Sequence, residues 1–374
     1  MAWTRGLAAV ALVLCIAEPV VPSAASAEER HSQPSRDAGS SQLRGAMVTP
    51  NWSIESSVFT VTPEQQRAEI AALAAMGGNL IRFHLDWSQL QPGLAVDHNY
   101  QARVDQVMAW AAAYHIKVIL NLVGTPCWAP ASGPSCPLTH DVMFSAPRPD
   151  IFQATTKYLL KRYPSVFAFE VWNEPNLGST FWLGSPAEFA ATVNAAVAGA
   201  NAAGVGTKVL AAGLFMDGSG YLQQLYDAGM RGQDGISLHP YSMTSSGVWV
   251  NPSARRSPFG RAIENTHRLM RRNDDHGGLW LTEFGFATCP ARPQCLSDSR
   301  AATYLANSYR VAARYRYVKG LTAFSMRDYA DPQDRNPAWD LRSGILHQDL
   351  SPKPAFRKVK SALRRLRWNR VALG

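Results

Sequence analysis

Short apolar stretches alternate with longer amphipathic stretches along most of the chain. The apolar stretches lack the polar alternation of a half-exposed strand, which is typical of parallel strands covered on both faces. The longer stretches repeat apolar residues at helical spacing. This strand-then-helix rhythm occurs eight times and predicts one α/β domain, a (β/α)8 TIM barrel, rather than two domains. The predicted strands cover residues 45–48, 79–85, 117–123, 166–174, 208–212, 235–239, 279–282 and 320–325.

Start signals mark several of the predicted helices. Thr62 followed by Pro63 is an N-cap with proline in the first turn, and Ser185 with Glu188 forms a capping box. In the last helix, Phe356 and Val359 begin an apolar row that should pack on the barrel and leave the basic residues outside. The predicted helices cover residues 63–76, 100–114, 150–162, 186–203, 221–228, 260–273, 298–315 and 354–367.

Composition agrees with a packed globular domain. The 374 residues are 46% hydrophobic and 17% charged, enough for one large barrel. The net charge of +9 is uneven, because residues 353–374 contain eight Lys or Arg and no acid. We expect this tail to adsorb to an anionic cell envelope or an acidic polysaccharide; a solvated outer helix face is the alternative. We expect no nucleic-acid partner and a monomer.

The amino terminus has the features of a secretory signal. Arg5 precedes an apolar run, and small residues end at Ala27, so we expect residues 1–27 to be a cleaved signal peptide. Residues 28–42 are polar and read as a disordered leader, followed by the catalytic domain over residues 43–374. We expect no transmembrane segment after cleavage. The predicted location is therefore secreted, either extracellular or associated with the cell envelope.

Export would leave four cysteines in an oxidising environment. Their nearness in sequence favours two disulfides, Cys127 with Cys136 and Cys289 with Cys295. Neither pair has the close spacing and nearby histidines of a zinc site, so the metal interpretation is weaker. Each bond would close a short loop.

Two glutamates follow predicted strands. The stretch VFAFEVWNEPN (166–176) contains Glu174, and Pro175 behind it disfavours helix and ends the strand. The stretch LWLTEFGF places Glu283 after strand seven. Carboxyl ends of parallel strands meet at one edge, where barrels bind ligands. Two carboxylates there are what glycoside hydrolysis requires, although either glutamate alone could merely cap a turn.

These motifs resemble those of the large clan of retaining (β/α)8 glycosidases. The stretches GTPCWA (124–129) and GILHQDLSPKPAF (344–356) resemble glycoside hydrolase family 39 and its bacterial relatives more than family 5. Two features depart from the clan. The strand-three histidine of family 5 is absent, and strand eight ends in FSMRDY (324–329), where many members have tryptophan.

The resemblance assigns roles to residues at the strand ends. It makes Glu283 the nucleophile and Glu174 the acid/base, and it places Asn173 against the sugar 2-hydroxyl. It also implies that His239 and Tyr241 line the sugar site, with the tyrosine hydrogen-bonding the nucleophile. A core histidine is the alternative for His239.

Three further side chains are candidates for the site. Arg82 on strand two resembles the clan arginine that supports the nucleophile from below, and its alternative is a buried partner for Glu170, which shares the parity of Glu174. Trp128 and Trp182 lie just beyond strands three and four, where an aromatic face could stack on a pyranose ring.

The sequence therefore predicts a secreted, retaining β-glycosidase that hydrolyses a poly- or oligosaccharide by double displacement, without metal or cofactor. The clan resemblance disfavours an inverting mechanism. One rival is a non-catalytic carbohydrate-binding protein on the same barrel, which we would expect to lack one glutamate. A transglycosidase sharing these residues is the second. The sequence names neither the sugar, nor the linkage, nor endo or exo action.

Overall fold

Eight parallel strands pair in sequence order and close into a barrel in the computed structural model, which describes residues 42–49, 61–288, 295–330 and 340–371. This confirms the predicted (β/α)8 architecture. Signal peptide and leader fall outside the described residues, apart from Gln42. The strands are β1 Leu43–Met47, β2 Leu80–Asp86, β3 Lys117–Val123, β4 Ala168–Val171, β5 Lys208–Phe215, β6 Gly235–His239, β7 Gly278–Leu281 and β8 Val318–Ala323.

Helices follow the strands as the periodicity predicts. Two short helices in the loops after β2 and β3 were not predicted. The helices are α1 Pro63–Met76, α2 Trp87–Leu90, α3 His98–Ala113, α4 His140–Met143, α5 Pro149–Arg162, α6 Pro186–Ala203, α7 Ser219–Asp227, α8 Pro258–Arg272, α9 Asp298–Ala312 and α10 Pro354–Val371. Within the described residues, none of them has both the length and the apolar character that crossing a bilayer requires.

The predicted helix starts are confirmed at atomic detail. The Thr62 hydroxyl accepts from the Gln65 backbone, and the Gln65 side chain accepts from the Thr62 backbone. Ser185 and Glu188 form the same reciprocal pair at the start of α6. These bonds satisfy backbone N–H groups that a helix leaves without partners at its first turn.

An apolar layer fills the base of the barrel. It consists of one buried side chain from each of six strands: Leu43, Leu80, Ile119, Ala168, Leu210 and Trp280. Gly320 makes room for the Trp280 indole, since a Cβ at Gly320 would lie 2.5 Å from a ring carbon. With the base closed by apolar groups, the polar inward side chains occupy the opposite, carboxyl end of the strands.

One of the two predicted disulfides is confirmed. Cys127 and Cys136 are bonded across the loop after β3, with Cα atoms 4.9 Å apart. Cys289 lies outside the described residues, so its bond to Cys295 stays a prediction. The last helix packs as expected: Val359 and Leu363 are buried, while Arg357 and Arg364 are exposed.

Candidate active site

The chain turns sharply where β4 ends, and this turn presents Glu174. Trp172 and Glu174 both have left-handed backbone conformations, with φ of 66° and 47°. Pro175 then begins a 3-10 helix, Pro175–Thr180. The Glu174 N–H donates to the Gly213 carbonyl (3.0 Å), which fixes the turn against β5.

A bulge in β5 creates this acceptor. The pairing of β5 with β6 shifts between Ala211 and Leu214, and Gly213 has a φ of 51°. The Ser237 hydroxyl holds the bulge by donating to Ala211 O (3.0 Å) and accepting from Gly213 N–H (2.7 Å). Because of the bulge, β5 runs to Phe215, beyond its predicted end.

The Glu174 carboxyl is buried and hydrogen-bonded to histidine. Its exposed fraction is 7%, and its Oε1 lies 2.7 Å from His239 Nδ1. Burial raises the pKa of Glu174, and the charge of Glu283 raises it further, while His239 and Arg82 oppose the rise. Glu174 is therefore disposed to hold a proton.

The Glu283 carboxyl follows β7 and is equally buried, but its partners are different. Tyr241 donates to Oε2 at 2.8 Å and Arg82 Nη1 donates to Oε1 at 2.5 Å. Burial alone would raise the pKa of Glu283, yet His239 and the Arg82 guanidinium outweigh burial and lower it. Burial beside the two glutamates raises the pKa of Tyr241 well above its usual value, so the phenol stays a donor.

Arg82 makes both of the contacts weighed from the sequence, one with Glu170 and one with Glu283. Its guanidinium is fully buried and donates to Glu170 Oε2 (2.5 Å), to Glu283 and to Asn173 Oδ1 (3.0 Å). The arginine thus ties the ends of β2, β4 and β7 together. Asn173 is half-buried, and with its oxygen engaged, its Nδ2 is the group left to face a ligand.

His239 has no exposed surface, as expected for a core histidine. It nevertheless contacts the site directly through Glu174. Within the described residues, its Nε2 and the Glu170 Oε1 form no hydrogen bond. Both atoms face Gly213, where a Cβ would lie 3.1 Å and 3.6 Å from them. The histidine therefore touches Glu174 rather than forming an open wall of the site.

Sequence reasoning missed His84. This buried imidazole lies 3.1 Å from Arg82 Nη1 and 3.9 Å from Glu283 Oε1. Burial and the Arg82 charge lower the pKa of His84 to about 4, so it is neutral at neutral pH. The alternation of Arg82, His84 and Asp86 along β2 was the available signal, because alternate residues of a strand share a face.

The two candidate tryptophans differ. Trp182 is 2% exposed and packs edge-to-face against Trp172 and Phe189, which leaves neither face open to a sugar ring. Trp128 is half-buried, with its Nε1 donating to Gln91 O (3.0 Å) in the loop after β2.

An aromatic residue does follow β8, where many clan members have tryptophan. Phe324 is half-buried, and its N–H donates to the carbonyl of Phe284, the neighbour of Glu283. Its ring packs edge-to-face on Tyr329 at 5.7 Å.

Glu174, His239 and Glu283 each place one polar atom within 4.8 Å of the others. Carboxylate oxygens and imidazole nitrogens at this separation are atom types that bind metal cations. Both Glu283 oxygens already accept hydrogen bonds, from Arg82 and Tyr241, and a cation there would face the guanidinium charge. What the arrangement offers chemically is two adjacent carboxyls with opposite protonation preferences.

Comparisons with known proteins agree with this geometry. The model of the family Cellulase (glycosyl hydrolase family 5) matches residues 41–315. No curated protein matches the sequence. The clan-level resemblance is confirmed, with solved structures from both families 5 and 39 among the matches.

Three solved structures illustrate the likeness of fold. A family 39 glycoside hydrolase from Bacteroides cellulosilyticus WH2 has 18% identity and a TM-score of 0.62, and the match covers 86% of this chain and 64% of that one. GH5_18 from Streptomyces cattleya, solved with a bound disaccharide, has 18% identity and a TM-score of 0.66, covering 87% and 81%. An endo-beta-1,4-glucanase from Xanthomonas axonopodis pv. citri has 17% identity and a TM-score of 0.60, covering 87% and 99%.

Proposed function

The chain belongs to the cellulase family, glycosyl hydrolase family 5, and from that premise we propose that it is a retaining β-glycosidase acting on a poly- or oligosaccharide by double displacement. Its standing as a glycoside hydrolase follows from the family. The mechanism, the substrate class and the residue roles are the proposal.

One observation carries the mechanism. An oxygen of Glu174 lies within 4.8 Å of an oxygen of Glu283, and their pKa values are displaced in opposite directions. Retaining pairs stand about 5–5.5 Å apart, and inverting pairs stand about 6.5–9.5 Å apart to admit a water molecule. The short separation supports the retaining assignment.

The first step uses the two carboxyls in opposite states. Ionised Glu283, held by Arg82 and Tyr241, attacks the anomeric carbon as the bond to the leaving oxygen breaks. Protonated Glu174 donates its proton to that oxygen. In the second step Glu174 takes a proton from water, and the resulting hydroxide displaces Glu283 from the sugar.

His239 tunes Glu174 through its tautomer. When Glu174 carries its proton, that proton is donated to His239 Nδ1, which requires the neutral imidazole to bear hydrogen on Nε2. The contact would hold the Glu174 carboxyl in a fixed orientation while it exchanges protons with the leaving oxygen and with water.

Substrate contacts are proposed for three residues at the rim. The Asn173 amide would donate to the sugar 2-hydroxyl, and the half-buried rings of Trp128 and Phe324 would stack on sugar rings. The endo-beta-1,4-glucanase of similar fold supports a β-linkage, without fixing the sugar.

Azide rescue of two variants tests the roles. Glu283→Ala should lose nearly all activity on an activated aryl β-glycoside, and azide should yield a glycosyl azide of inverted configuration. Glu174→Ala should still form the glycosyl-enzyme from that substrate, and azide should release product of retained configuration. Loss on a poor leaving group should be about 10²–10⁴-fold. Swapped azide products, or an active Glu283→Ala, would refute the assignment.

The rivals predict other outcomes. A non-catalytic binding protein would show no turnover on any member of a polysaccharide panel while still binding one. A transglycosidase would make longer products when an acceptor sugar is added.

We also propose that the chain is exported after cleavage at Ala27 and is a monomer. Amino-terminal sequencing of protein recovered outside the producing cell, starting at Glu28, would support export. Recovery of the uncleaved chain inside the cell would contradict it, and size-exclusion chromatography with light scattering tests the monomer.

A further inference from the structure

Positive charge is concentrated in the last third of the chain. Residues 258–374 contain 21 Lys or Arg against 10 Asp or Glu, whereas residues 61–257 contain 12 against 13. The helices of this last third, α8, α9 and α10, pack side by side around the barrel. The basic tail expected from the sequence is thus one part of a wider charged surface.

The charge gathers at the ends of these helices. Each helix runs antiparallel to the strands, so its carboxyl end lies at the base of the barrel, opposite Glu174 and Glu283. Five exposed arginines lie at or just beyond the carboxyl ends of α8 and α9, which we call the basal basic patch: Arg268, Arg271, Arg272, Arg314 and Arg316. Among the described residues, none of these five takes part in a salt bridge.

Helix dipoles do not account for this concentration. A cation near a helix carboxyl end is stabilising, and that would justify basic residues on any helix. Yet α1, α3, α6 and α7 have no basic residue in the last turn. Three acids lie near the arginines: Glu264 accepts from the Tyr315 hydroxyl at 2.8 Å, Asp275 accepts from the Tyr226 hydroxyl at 2.7 Å, and Asp274 is exposed.

Aromatic rings lie among the arginines. His267 stacks on Tyr317 with ring centroids 3.6 Å apart, and Tyr315 lies 5.5 Å from Tyr317. All three rings are half-buried and so present part of their surface. Arg268 and Arg271 are close enough to influence the pKa values of Tyr317 and His267.

Arginines interleaved with aromatic rings are suited to bind a polymer of pyranose sugars that carry carboxylates. A guanidinium binds a carboxylate through two parallel hydrogen bonds, and an aromatic face packs on the apolar face of a pyranose. We propose that the basal basic patch binds an acidic polysaccharide rich in uronate, independently of the catalytic site. Bound in this way, the protein would keep its catalytic face open to a second sugar chain.

Affinity electrophoresis of the full chain through gels containing polygalacturonate tests this proposal. The patch variant is Arg268→Ser/Arg271→Ser/Arg314→Ser/Arg316→Ser. The matched control removes four exposed charges away from the carboxyl ends of the helices: Arg67→Ser/Arg148→Ser/Lys157→Ser/Arg300→Ser. Thermal unfolding verifies that both variants fold.

The native chain should be retarded by polygalacturonate but not by a neutral glucan, and retardation should fall as salt rises. The patch variant should bind about tenfold to a hundredfold more weakly, since exposed pairs are individually weak but four are lost. The control variant should stay within about twofold of native. Equal losses in both variants would mean that only net charge matters and would overturn the proposal.

Two further measurements distinguish binding of an acidic polysaccharide from binding of other anionic partners. Tyr315→Ala should weaken binding to polygalacturonate and leave binding to vesicles of anionic phospholipid unchanged. If Tyr315→Ala leaves polygalacturonate binding at the native level, or if vesicles and single-stranded DNA are bound more tightly than polygalacturonate, the proposed partner is wrong.

Discussion

Removing the Arg82 side chain should destabilise the fold far more than removing any surface arginine. Arg82→Met leaves two buried carboxylates, Glu170 and Glu283, without the cation that contacts both at 2.5 Å. Breaking a buried ion pair from one side costs about 3–5 kcal/mol. For a domain of this size the midpoint of thermal unfolding should fall by on the order of 10 °C.

A second substitution identifies the cause. The double variant Arg82→Met/Glu170→Gln has one unpaired buried carboxylate instead of two. At least half of the lost unfolding free energy should therefore return, although activity should stay low. Arg162→Met is the matched control, because Arg162 pairs with Asp105 at the surface, where the side chains are 47% and 36% exposed. Such pairs are worth about 0–1 kcal/mol.

The loss of unfolding free energy in Arg82→Met should also depend on pH. The folded-state pKa of Glu283 is depressed, so its ion pairing stabilises the protein above the unfolded pKa of about 4.3 and is lost as pH falls through the folded pKa. The difference between native protein and Arg82→Met should therefore be full at pH 7 and shrink below about pH 4. Urea unfolding at both pH values measures it. A single variant within about 1 kcal/mol of native, or a double variant no more stable than the single, would refute the reasoning.

Three smaller perturbations have defined outcomes. Tyr241→Phe removes the 2.8 Å donor to Glu283, so the acid limb of kcat/KM should move up by about 1–2 pH units; an unmoved limb would contradict the bond's role. Cys127→Ser/Cys136→Ser should lower the unfolding free energy by about 2–3 kcal/mol, and reductant should destabilise the native protein by more than it destabilises the variant. Thr62→Ala should cost about 1 kcal/mol in urea unfolding through the lost cap, whereas Thr62→Ser should cost little.

The barrel and its two glutamates were predictable because each depends on a local rule. A buried parallel strand is a continuous apolar run, and a proline behind Glu174 ends the run, so the carboxyl edge could be located residue by residue. Strand parity also placed Glu170 on the same face as Glu174 and hence within reach of Arg82. That contact is confirmed.

What escaped prediction depends on packing between distant segments. Trp182 follows a strand end as Trp128 does, and only the neighbouring Trp172 and Phe189 decide that it is buried. The bulge in β5 depends on Ser237 from another strand. His84 was missed because its contact with Glu283 joins β2 to the end of β7, although the alternation along β2 already placed it on the same face as Arg82.

The left-handed backbone at Trp172 and Glu174 has a consequence for anyone who tries to improve this enzyme. Non-glycine residues in that region cost about 1–3 kcal/mol each, and here two of them flank Asn173. Glycine would relieve both positions, so Glu174→Gly should be more stable than Glu174→Ala. A library selected only for heat resistance would therefore be drawn toward variants without the Glu174 carboxyl, and selection must demand turnover at every round.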